Sequence, residues 1–159
     1  MTFFHELQAS TADAQHQFLE APVIAAVAGG RFCLDTYKAF LRQAYHHVRH
    51  TVPLLNLARA RMPAELACLD AALGHYIEDE TGHEQWILND LKACGDDVPA
   101  FLSRPPPIPS EIMVAWLYDT VTRGNPVGLF GMVLVLEGTS SALAPSIATI
   151  VQQQLDLPD

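Results

Sequence analysis

The chain has 159 residues, half of them hydrophobic, which suffices for one ordinary domain, spanning residues 1–159, around a single core. A formal net charge of −9 repels nucleic-acid backbone and anionic membrane alike, leaving a small molecule or another protein as the expected partner. Cys33, Cys68 and Cys94 are odd in number and lack any C-x-x-C pairing, which argues against a disulfide framework or zinc knuckle and for reduced packing residues.

The opening stretch MTFFHELQAS has no basic region followed by an apolar one, so no signal peptide is read and the cytoplasm is the expected location. Wherever hydrophobic residues recur they do so at the helical period, and no alternating run is bounded by hairpin turns, so the expected class is all-α. Thr2 to about Glu20 reads as a first helix. Pro22 followed by VIAAVA reads as a short second one, stopped by Gly29 and Gly30.

Asp35 is placed to cap the next helix, which runs through TYKAFLRQAYHHVRHTVPLLNLARA with a kink at Pro53. Pro63 suits the first turn of a long helix reaching Ala93 and closed by Gly95. From Gly95 to Pro109 the composition turns to Gly, Asp and Pro, an ordered loop ending in RPPPIP. Ser110 with Glu111 starts a helix to about Thr122. After the GNP turn, Pro126 opens a last helix to about Leu155. Its apolar run has the length of a membrane span, yet Glu137 and the cluster Gly138, Thr139, Ser140, Ser141 interrupt it, so a buried core helix is the expectation.

Within YIEDETGHEQWIL, a wheel drawn from Pro63 to Ala93 puts Leu69, Leu73, Tyr76, Glu80, His83 and Ile87 on one inward stripe and turns Glu78 and Asp79 outward. An inward Glu and His three apart converge on one point, the Glu-x-x-His arrangement by which helix bundles hold carboxylate-bridged iron or manganese. A plain Glu–His hydrogen bond satisfies the same two groups without metal. Glu137 adds weight to the metal reading, because it is the single charged residue between Arg123 and Asp156 and directly follows the apolar run VLVL. A buried carboxylate costs several kcal/mol, roughly, unless a cation or strong donors meet it. Mixed carboxylate and imidazole donors suit iron or manganese rather than calcium or structural zinc. The expected metal ligands are therefore Glu80, His83 and Glu137.

Other groups are assigned plainer roles. In HHVRH the wheel makes Tyr37, Leu41, Ala44, Val48 and Leu55 the core face, leaving His46 and His50 outside and His47 at the edge. Tyr45, Tyr76, Trp86, Trp116 and Tyr118 are expected in the core or a pocket wall. No nucleophile elbow, P-loop or dinucleotide fingerprint occurs.

Four stretches together resemble the haem-oxygenase-like helical proteins, and among them the iron-dependent diiron oxidases and oxygenases: STADAQHQFLEAPVIAAVAGG, YKAFLRQAYHHVRHTVPLL, YIEDETGHEQWILNDL and NPVGLFGMVLVLEGTSSALA. The resemblance implies a haem-oxygenase-like bundle holding two Fe(II) ions, or Mn, with Glu80, His83 and Glu137 as the ligands that match here. It implies dioxygen as co-substrate and a small amino-acid-like or fatty-acid-like substrate in the bundle core. It also implies further helices beyond LDLPD, carrying the remaining ligands, so that this chain reads as truncated at its C-terminus and is expected to form a homodimer covering the last helix. His16 sits where true haem oxygenases have their haem ligand, but LEGTSSALA is a poor match to their glycine-rich distal helix. TenA-type hydrolases place a nucleophilic Cys in the helix that here carries Glu137. The alternative to an oxidoreductase is a metal-free binding or regulatory module, or such a hydrolase.

Overall fold

The computed structural model describes residues 2–155, apart from the side chain of Ala28. Residues 156–159, the end of the LDLPD stretch, lie outside the described residues. Among the described residues there is no strand, and the chain is all-α. Its elements fall into two compact units, residues 1–34 with 130–159 and residues 35–129.

In the first unit, α1 (Phe3–Leu19) is followed by α2 (Pro22–Ala28), whose proline stands at the first helical position where its missing N–H costs nothing. The chain returns to this unit through the end of α9 (Leu129–Met132), a π-helical stretch Val133–Glu137, and α10 (Gly138–Leu155). α1 packs on the π-helical stretch and α2 on α10. Among the described residues of this unit, Val27, Phe32 and Val151 are the buried apolar ones.

The second unit contains α3 (Leu34–Val48), α4 (Thr51–Ala60), a 3-10 turn (Ala64–Leu69), α5 (Asp70–Glu80), α6 (His83–Ala93), the short α7 (Val98–Leu102) and α8 (Ile108–Thr122). α4 is its centre, packed against both α5 and α8. Leu54, Leu55, Ala58, Leu73, Leu117 and Val121 are almost wholly removed from water, each large side chain contributing about 1.5–3 kcal/mol. Arg59 donates to both carboxylate oxygens of Asp70 at 2.6 Å, and Arg61 donates to the Val121 carbonyl at 2.8 Å, tying α4 to each neighbour. A second cluster, Leu41, Leu91 and Phe101, joins α3, α6 and α7.

Several expectations shift. The continuous helix expected with a kink at Pro53 is instead broken in two at Arg49–His50. Proline lacks an N–H and its ring collides with the carbonyl four residues back, so the chain ends α3 upstream and places Pro53 in the first turn of α4. The single helix expected from Pro63 to Ala93 is three pieces, with its main break at Thr81–Gly82, where Gly82 takes φ +96. Gly95, at φ +73, ends α6 as expected. The proline-rich loop contains α7, capped by Asp97, whose carboxylate accepts from the Ala100 N–H at 3.0 Å. α8 begins at Ile108, two residues before Ser110.

The last helix is also less buried than expected. From Pro126 to Leu155 it is long and apolar enough to cross a membrane, with a mean hydropathy of 1.6, yet 6% of that window is buried. Trp86 and Trp116, expected in the core or a pocket wall, are 62% and 69% exposed, and Ile108 and Ile112 share the exposed face of α8 with Trp116. Cys33 and Cys68 are exposed rather than packed, and Cys94 is half-buried.

Candidate metal centre

Glu80 is the last residue of α5 and His83 the first of α6. They meet across the Gly82 turn rather than along one continuous helix, and the left-handed backbone there is one that a side chain resists. His83 Nδ1 and Glu80 Oε2 stand 3.0 Å apart. Their side chains are 31% and 16% exposed, whereas Glu78 is 79% exposed, so the inward and outward assignment drawn from the wheel holds despite the break. It holds because the break comes after Glu80, and the wheel needs only α5 to place that residue.

One turn before Glu80, Tyr76 keeps its hydroxyl buried with no hydrogen-bond partner. Trp86 follows one turn after His83, its ring centroid 4.5 Å from the imidazole. The carboxylate, imidazole and orphan phenol thus bring oxygen and nitrogen donors to the end of α5 and the start of α6.

Two donor atoms 3.0 Å apart are close enough for one ion with bonds of about 2.1 Å to reach both. A metal would replace the proton that the hydrogen bond now shares, since ligands bind deprotonated. The pair would therefore fit a transition metal chemically, as one oxygen and one nitrogen donor. Among the described residues no group of three or more His, Cys, Asp or Glu side chains is gathered.

Glu137 belongs to the first unit, at the end of the π-helical stretch. It is half-buried, and burial alone lifts its carboxyl from 4.5 to about 6. Its backbone carbonyl accepts from the Ser140 hydroxyl at 3.3 Å. A single wide turn of this kind interrupts α-helices frequently at functional sites. Nothing in the residue pattern of VLVLE distinguishes it from an ordinary α-turn.

The remaining histidines sort clearly. His16 is surface-exposed and lies 3.1 Å from Glu20, one turn on. His46, expected outside, is buried at 6% exposure against Tyr45 and Phe101. The wheel missed this because Leu41 and His46 lie about 140° apart on α3, and α7 supplies cover for the second direction. His47 is half-buried, as its edge position predicts, and burial pushes its imidazole pKa down. His50 meets the Tyr118 hydroxyl at 3.2 Å.

A family model described as iron-containing redox enzyme matches residues 38–159. Among solved structures, a domain of unknown function with a haem oxygenase-like fold from Shewanella denitrificans OS217 is 25% identical, with a TM-score of 0.81 over 99% of this chain and 68% of that one. No curated protein matches.

Proposed function

The chain belongs to the iron-containing redox enzyme family, with the haem oxygenase-like fold, and from that premise we propose that it is a non-haem oxidoreductase acting on a small organic substrate with dioxygen. The observation that carries this reading is the 3.0 Å approach of Glu80 and His83 across the Gly82 turn. In the proposal these two residues and Glu137 are iron ligands. Bound iron would supply the one-electron steps by which dioxygen is made reactive.

The chain's own residues have three tasks. Glu80 and His83 would give up a shared proton and offer an oxygen and a nitrogen donor. The Tyr76 hydroxyl, unpartnered on the same face as Glu80, provides a hydrogen bond to a ligand oxygen or to substrate. Glu137, raised to about 6, is deprotonated over the neutral range and brings negative charge into a half-buried position where a cation offsets it.

A metal-free binding module is the competing reading, favoured by the fact that Glu80 and His83 already hydrogen-bond to each other without metal. Metal analysis after expression in iron-rich medium, followed by anaerobic ferrous reconstitution, separates the two. The proposal expects bound iron that rises on reconstitution and consumes dioxygen. Iron or manganese at a negligible fraction of an equivalent after both steps would overturn it.

A further inference from the structure

Between α3 and the loop around α7 lies a cleft of about 200 Å³ whose walls include Arg42, His46, Asp96, Asp97, Phe101 and Arg104. Its volume is that of roughly seven waters in the liquid, a size for a molecule of a few heavy atoms. Glu80, His83 and Glu137 are not among its walls.

The charges in those walls are unevenly matched. Arg42 donates to both oxygens of Asp96, whose side chain is 6% exposed, so that pair is closed on itself. Asp97 commits a carboxylate oxygen to capping α7. Arg104 makes no ion pair and no side-chain hydrogen bond among the described residues. Among the described residues Arg42, Arg59 and Arg123 each take a carboxylate, whereas Arg104, like Arg31, Arg49 and Arg61, takes none, although two carboxylates share its cleft.

His46 is the second unmatched group. It is 6% exposed, its ring lies 5.2 Å from that of Phe101, and its Nδ1 has no hydrogen-bond partner. A buried polar atom left unpaired is unfavourable, and a neutral imidazole offers one N–H donor and one acceptor to meet a ligand. Burial favours that neutral form.

We propose that this cleft binds a small organic carboxylate. The Arg104 guanidinium takes the carboxylate in its fork, the His46 ring meets a polar atom of the same ligand, and Phe101 with the flanking prolines packs against its carbon skeleton. The site is independent of the iron reading, since it shares no residue with it.

The test titrates propionate into the intact protein, following heat release and the ring resonances of His46. Saturable binding is expected, with a shift of the His46 ring. Arg104→Ala is expected to weaken it tenfold or more, and the exposed position of Arg104 leaves the unfolding midpoint unchanged. Propylammonium is expected not to saturate, and His83→Ala to leave propionate binding as it was. Equal affinity in Arg104→Ala, or a His46 ring that does not move, would overturn the proposal. Loss of binding in His83→Ala would do the same by placing the ligand at the proposed iron ligands, and tighter binding of inorganic phosphate than of propionate would overturn the carboxylate assignment.

Discussion

Glu80 and His83 lie three residues apart in sequence and 3.0 Å apart through their side chains, yet they belong to different helices. Replacing either by Ala removes half of the donor pair, so ferrous affinity is expected to fall by more than the roughly 10–100-fold typical of residues that only support a ligand. Glu78→Ala, at a position 79% exposed, is expected to leave it unchanged. Competitive chelator titration of the variants reads this directly, and equal losses at positions 78 and 80 would refute the assignment.

Gly82 is the joint between these ligands. A Cβ there meets nothing within 4 Å, so any penalty for Gly82→Ala comes from φ +96 alone, about 1–2 kcal/mol. Chemical denaturation is expected to show that loss, with a drop in iron affinity as the backbone relaxes and turns His83 away. Gly82→Asn, whose side chain tolerates the left-handed region, is expected to lose less of both.

The carboxyl of Glu137 provides a pH test. Its folded value of about 6 lies above the ordinary 4.5, so the native state holds its proton more tightly than the unfolded chain does. Stability from this group is therefore complete below 4.5 and lost as pH rises through 6, by about 1 kcal/mol once partial solvation is allowed for. Glu137→Gln is expected to flatten the metal-free stability profile over that window and to weaken iron binding at neutral pH. An unchanged profile in the variant would show that another group is responsible.

Self-association is the fourth expectation. The apolar window within Pro126–Leu155 is largely uncovered, and the exposed residues Ala144 and Ala148 sit one turn apart on α10. Light scattering is expected to give the mass of two chains, and Ala148→Glu to return it to one. A monomer at high concentration would end this reading.

Much of the architecture was readable from the residues because prolines and glycines act locally. Pro22 starts α2, Gly95 ends α6, and Pro126 opens a helical turn where each was expected. What escaped needed knowledge of neighbours. His46 is buried because Phe101, over fifty positions later, comes back across α3, and no wheel of one helix contains that fact. Gly82 was hidden because a glycine inside a helical pattern reads equally as tolerated or as a break. The candidate ligands were visible because Glu137 directly follows an apolar run and Glu80 falls on the apolar stripe of its helical wheel, both of which a sequence displays without any tertiary information.

The π-helical stretch at Val133–Glu137 carries a consequence for register. Such a turn closes its hydrogen bonds over one residue more than an α-turn, which is what a one-residue insertion into a regular helix produces. Removing Leu134 would therefore let the segment close as ordinary α-helix without tearing it. Because the wide turn absorbs that residue, the helix after the deletion would keep nearly its present heading, with Val151 still on its buried face. Were the undeleted sequence wound as α-helix throughout, everything after the turn would instead be rotated by about 100°. The wide turn thus acts as a phase shifter. It lets one continuous run of helix serve two angular settings, one before the carboxylate and one after it.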